Sequence, residues 1–178
     1  MTVHASREAA ATLRRCLFNG KLWPDFTRIP SARSPVLRIV PFRFGAPFRA
    51  GRFTVTAVKM RHSVETAGFL VRRGRTAFGI SGDTGPTTAF WREAGRAPGL
   101  GALLVEVSFP SRLQRLADRT GHLTPRTLAG ELGKLEREGV PVYLYHLKPA
   151  FRAELRAELA ALGLRDATVL DGGETITA

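Results

Sequence analysis

The chain has 178 residues, 44% of them hydrophobic, and a single cysteine, Cys16. That is enough for one ordinary globular domain, taken as residues 1–178, and it excludes a disulfide scaffold or a Cys-rich zinc motif. The net charge of +12 comes from arginines scattered along the chain, among them Arg14, Arg28, Arg72, Arg73, Arg75, Arg112, Arg152 and Arg156, and it favours anionic partners. The basic residues form no stripe interleaved with aromatics, so they read as a solvated surface and nucleic acid is disfavoured as a partner.

In chain order, Ser6 is placed to cap a helix through about Cys16, with Ala9, Leu13 and Leu17 on one face. A Pro-containing segment follows, in which Phe18, Trp23 and Phe26 read as plugs of a surface groove. Val36 to Val40 and Arg52 to Met60 have strand character, and Gly68 to Val71 with Thr76 to Ile80 predicts a hairpin turning at Arg73-Gly74. The second half alternates more regularly. A helix is expected over Thr88 to Ala94, a buried strand over Ala102 to Val107, and a helix over Arg112 to Arg119. Thr124-Pro125 is an N-cap with proline at the first helical position, and Gly139 is the matching stop. Val140 to Tyr145, a helix from Pro149 to Leu162 and a short strand from Thr168 to Leu170 complete an α/β pattern with helices packed on a sheet.

The chemistry concentrates at the ends of these strands. Asp83 lies between glycines in Ser81-Gly82-Asp83-Thr84-Gly85, directly after the strand ending at Ile80. His62 follows one strand, His146 another, and Glu106 sits within an apolar one, where a carboxylate is costly unless paired. Each has a plain structural reading: Asp83 as a helix cap, His62 as a loop residue, His146 as a strand-end imidazole bonded to a carbonyl, and His122 as a partner for the backbone before Thr124. His4 reads as a surface residue. Together, Asp, His and Glu recurring at successive strand ends suit a divalent metal bound by imidazole and carboxylate in an α/β hydrolase.

The segments Ser81-Gly82-Asp83-Thr84-Gly85, Val105-Glu106-Val107-Ser108-Phe109-Pro110, Gly121-His122-Leu123-Thr124-Pro125 and Tyr145-His146-Leu147-Lys148-Pro149 resemble the class II cyclic-nucleotide phosphodiesterases of the metallo-β-lactamase superfamily. Phe18-Asn19, Trp23-Pro24-Asp25-Phe26 and Val58-Lys59-Met60-Arg61-His62 fit the same order. The resemblance implies an αβ/βα sandwich with two zinc ions, in which His62 would be a ligand of the first metal, Asp83 the carboxylate bridging both and His146 a ligand of the second. It further implies that His122 lies beside the substrate phosphate, with Glu106 as its orienting partner. Lys148 reads either as a residue that steadies the phosphate or as a charge at a helix start.

No pair among the four histidines has the spacing of the His-x-His-x-Asp-His motif that supplies the superfamily's other ligands. The resemblance therefore implies an N-terminally truncated sandwich, a C-terminal portion that is inactive alone and that pairs with an N-terminal half or with a second copy. The implied substrate is a small cyclic nucleotide; the alternatives are a metallo-nuclease of the same superfamily or a non-catalytic, partner-binding remnant. No run reaches the roughly 20 apolar residues that span a bilayer, and with Met1 as the start the expected location is the cytoplasm.

Overall fold

A computed structural model describes residues 1–177. Its centre is a seven-stranded sheet in the order β3-β4-β5-β6-β7-β8-β9, built from Pro47–Ala50, Phe53–Lys59, Ala67–Arg73, Thr76–Ile80, Leu100–Glu106, Val142–Tyr145 and Ala167–Val169. β3 to β6 pair antiparallel, and β6 to β9 pair parallel. A separate two-stranded parallel sheet joins β1 (Thr2–Ala5) to β2 (Arg38–Pro41). The mixed α/β class expected from the sequence is borne out.

Helices α2 (Ala89–Arg96), α4 (Pro125–Leu132) and α5 (Arg152–Ala161) bury Phe90, Trp91, Leu128, Leu155 and Leu159 in one cluster with Leu70, Leu103, Val105, Val142 and Leu144 of the sheet. Because strand side chains alternate in direction, these residues mark one face of the sheet. Gly79 is part of that packing: a Cβ there would lie 2.6 Å from Leu103 Cδ2 and 3.3 Å from Phe90 Cζ. The opposite face carries a cross-strand row, Phe69, Ile80, Leu104 and Tyr143, each half-buried. Exposed large apolar side chains lie elsewhere, among them Leu22, Trp23, Ile29, Val36 and Val40 on the segment that leads into and through β2.

Several expectations needed correction. The first helix, α1, is regular only over Arg7–Thr12, and then widens into a π turn over Leu13–Leu17 that closes with Phe18 N–H donating to the Leu13 carbonyl at 2.8 Å. Its buried residue is Ala10, with Ala9 exposed. Phe18 and Phe26 do pack edge to face under the small sheet, whereas Trp23 is 54% exposed and plugs nothing. His4 is half-buried, its ring stacked on Phe48 at 4.8 Å, and is not a surface residue. α4 starts at Pro125 behind a Thr124–Thr127 capping box, as the sequence predicts, but stops at Leu132. Gly130 and Gly133 weaken its helical propensity, and Arg137 is drawn off to donate to the Ala97 carbonyl at 2.7 Å. β1 and β3 carry no alternation strong enough to have been read from the sequence.

Candidate metal centre

β4, β6, β7 and β8 all point the same way in the sheet, so their C-terminal ends share one edge. His62 follows β4, Asp83 follows β6, Glu106 ends β7 and His146 follows β8. His122 arrives from the other side, on the turn between α3 (Gln114–Thr120) and α4. Crevices outside the carboxyl ends of parallel strands are where open α/β sheets gather functional groups, and the residues singled out in the sequence meet there.

Asp83 lies between two imidazoles. One carboxylate oxygen is 4.0 Å from His62 Nε2, and the other is 3.2 Å from His146 Nδ1. The Asp83 side chain is 39% exposed and the two imidazoles are 12% and 30% exposed, so the carboxylate can receive a solvated ion. Asp83 does not cap α2, which opens at Thr88 without any side-chain cap. His62 is oriented from behind: its Nδ1 is 3.0 Å from the Gly121 carbonyl, so Nδ1 must carry the proton and Nε2 turns a lone pair toward Asp83. This contact requires a glycine at 121, where φ is +74° and a Cβ would fall 2.6 Å from His62 Cα.

A second group lies deeper. Glu106 is fully buried, and its Oε1 accepts from the Thr84 N–H at 3.0 Å and from His122 Nδ1 at 2.8 Å, while Oε2 accepts from Ser108 Oγ at 2.9 Å. The expense of a carboxylate in an apolar strand is thus offset by three donors. Ser108 Oγ is also 3.1 Å from His146 Nδ1 and 3.2 Å from His122 Nδ1, which ties both groups together. Lys148 reaches His146, with Nζ 3.4 Å from Nε2, and lies 5.8 Å from the centre of the Phe109 ring. Burial holds the Tyr145 phenol above its ordinary pKa; hydrogen bonding with Ser81 opposes this, and the charges of Asp83 and Glu106 reinforce it.

Two sets of donor atoms converge to within 4.8 Å of one another: those of His62, Asp83 and His122, and those of Glu106, His122 and His146. Imidazole and carboxylate in this number and spacing suit a divalent transition metal, and three protein donors leave room for a further ligand. Sequence reasoning missed Ser108, the Gly121 carbonyl and the Thr84 N–H. Only Ser108 left a trace, lying two residues past Glu106 and so on the same side of an extended chain.

Residues 2–146 match the family described as the beta-lactamase superfamily domain. The chain belongs to the beta-lactamase superfamily. It is 30% identical over 176 residues to a probable 3',5'-cyclic-nucleotide phosphodiesterase of Yersinia pestis, an alignment that covers 85% of this chain and 50% of that protein. The chain spans about half the length of the curated relative it matches. Among solved structures it is similar to unliganded yeast PDE1, with a TM-score of 0.78 and 22% identity over 94% of this chain and 56% of that one. It is also similar to Zn(2+)-bound PqqB from Methylobacterium extorquens, with a TM-score of 0.71 and 15% identity over 100% of this chain and 65% of that one. Both likenesses establish the metallo-β-lactamase fold, and the resemblance drawn from the sequence motifs is borne out. No helix among the described residues is long and apolar enough to cross a membrane.

Proposed function

We propose that this chain carries part of the site of a metal-dependent phosphodiesterase that opens 3',5'-cyclic nucleotides to 5'-nucleotides. The observation that carries the reading is the Asp83 carboxylate set between His62 and His146 at strand ends, beside the buried Glu106–His122 pair. His62 and His146 would each hold one zinc ion, with Asp83 shared between the two. Bound there, the cations supply positive charge that polarises phosphoryl oxygens and acidifies water.

The chain's own residues account for the remaining parts of the reaction. His122, its Nδ1 tied to Glu106, turns Nε2 outward as the group that donates a proton to the leaving ribose oxygen. Glu106 holds that ring in a single orientation. Lys148, adjacent to His146, offers a cation to the phosphate.

With His122 given to the proton and Glu106 to His122, the ligands left are Asp83, His62 and His146, so each of two ions finds only two protein ligands, whereas tight zinc sites use three or four. This chain by itself is therefore expected to turn over cyclic AMP negligibly with added zinc. Supplying a polypeptide that bears His-x-His-x-Asp-His restores turnover, Asp83→Ala abolishes the restored activity, and His122→Ala lowers it while leaving metal content intact. Robust zinc-dependent hydrolysis by the chain alone would overturn the ligand count. The net charge of +12 favours a second reading, a nuclease of the same superfamily. That reading requires the restored activity to cleave RNA or DNA in preference to cyclic nucleotides.

A further inference from the structure

The Ser108 hydroxyl is fully buried where Glu106, His122 and His146 meet, and the proposed reaction gives it no part. Counting protons assigns its bonds. A serine hydroxyl has one proton to give and two lone pairs with which to receive. An ionised Glu106 can only accept, so it takes His122 Nδ1–H on Oε1 at 2.8 Å and the Ser108 proton on Oε2 at 2.9 Å. The Ser108 oxygen is then an acceptor toward His146 Nδ1 at 3.1 Å, and that nitrogen must carry the proton. The 3.5 Å approach of Ser108 Oγ to the His146 carbonyl is too long to compete. Lys148 agrees with this count, because its ammonium can only donate and it sits 3.4 Å from His146 Nε2.

His146 has two features that make such a tether consequential. Its backbone φ is +68°, the left-handed region that side chains other than glycine seldom adopt, so the ring leaves the strand in a direction that the chain does not favour by itself. Its Nδ1 also lies 3.2 Å from Asp83 Oδ1, which shares the proton. Asp83 and Ser108 are thus the two acceptors that hold the ring, and only the Ser108 oxygen is itself anchored to buried Glu106.

We propose that Ser108 is a positioning residue that fixes His146 as the Nδ1–H tautomer and couples its ring, through Glu106, to that of His122. The proposal rests on the proposed function only for the use to which His146 is put.

The test is long-range proton–nitrogen NMR of the 15N-labelled full chain at about pH 8.5, where free imidazole is neutral. Without metal, His146 is expected as a single Nδ1–H tautomer in the wild type and in Asp83→Ala, and as a mixture of tautomers in Asp83→Ala/Ser108→Ala, where both acceptors at Nδ1 are gone. His122, held by Glu106, stays Nδ1–H in all three. Ser108→Thr in the Asp83→Ala background keeps the hydroxyl and the wild-type pattern, and it carries the comparison if the double variant does not fold. An Nε2–H tautomer for His146 in the wild type, or an unchanged His146 in the folded double variant, overturns the proposal. Zinc affinity, read by chelator competition, falls about 10- to 100-fold in Ser108→Ala, the range typical of groups that orient metal ligands. A scrambled His146 with unchanged zinc affinity leaves Ser108 its positioning role and removes His146 from the proposed ligand set.

Discussion

Replacing Glu106 with alanine tests whether the buried network is structural. The substitution strips acceptors from the Thr84 N–H, the Ser108 hydroxyl and His122 Nδ1–H. An orphaned buried donor costs about 1–3 kcal/mol. Ser108 Oγ and His122 Nδ1 lie 3.2 Å apart and can satisfy one another, which leaves two orphans. Together these come to about 2–6 kcal/mol, and the one lost methylene adds about 0.8 kcal/mol. The expected loss centres on about 4–5 kcal/mol, a large part of the 5–15 kcal/mol that stabilises an ordinary domain. Glu106→Gln keeps the shape and one carbonyl oxygen for Thr84 and His122, and turns its amide toward Ser108 Oγ, so that the Ser108 proton alone loses its acceptor, at about 1–3 kcal/mol. Urea denaturation of both variants at pH 7, followed by circular dichroism, measures the difference. A Glu106→Ala loss below about 1 kcal/mol, or one no larger than that of Glu106→Gln, would refute the hydrogen-bond count.

Gly121→Ala forces a Cβ to within 2.6 Å of His62 Cα at a φ of +74°, and should cost about 1–3 kcal/mol or more and weaken zinc binding. Gly95→Ala on α2, where a Cβ meets nothing within 4 Å, is the control that should do neither in a thermal melt and a zinc titration. At the C-terminus, Arg152 and Arg156 hold the Asp171 carboxyl below its ordinary pKa, and backbone N–H groups of Asp171 and Gly172 do the same for Glu174. Depressed carboxylate values mean that this tethering is complete above the unfolded values near 4 and lost as pH falls through the folded ones. Amide exchange of residues 171–174 should therefore accelerate below about pH 4 while the central strands stay protected; uniform exchange across the chain would contradict it. Zinc added to the free chain should shift the NMR signals of His62 and His146 far more than that of Thr84 N–H, and equal shifts would argue against ions held at Asp83.

The sequence conveyed the second half of the fold well because its signals there are local. Thr124-Pro125 begins a helix by its own backbone chemistry, and Leu100–Glu106 and Val142–Tyr145 are apolar enough to be central strands wherever they pair. The first half depends on tertiary context. β1 forms because β2 lies beside it, 36 residues on in register from Thr2 to Arg38, and nothing within Thr2–Ala5 announces that partner. The candidate site divides the same way. Residue type and strand-end position singled out Asp83, His62, Glu106 and His146, since ionisable groups beside apolar strands need a reason to be there, whereas His122, on a turn between two helices, was singled out by the motif resemblance. The groups that orient them are backbone atoms, the Gly121 carbonyl and the Thr84 N–H, and every residue type supplies those.

The geometry separates two kinds of group at this edge. Glu106 and His122 are almost wholly enclosed, at 0% and 7% exposure of their side chains, and the Glu106 oxygens and His122 Nδ1 are satisfied within this chain. His62, Asp83 and His146 are more open, and His62 turns an unclaimed lone pair toward the Asp83 carboxylate. An imidazole pinned by a buried carboxylate needs nothing further from outside to be held in place. Cation binding differs, because an ion held by few protein donors keeps coordination positions for further ligands. In the proposed function, the group assigned to the proton is thus held by this chain's own buried bonds, and the group assigned to cations is not. That asymmetry is why loss of the buried carboxylate should appear as lost stability in the free chain, whereas loss of Asp83 should appear once the remaining ligands are supplied.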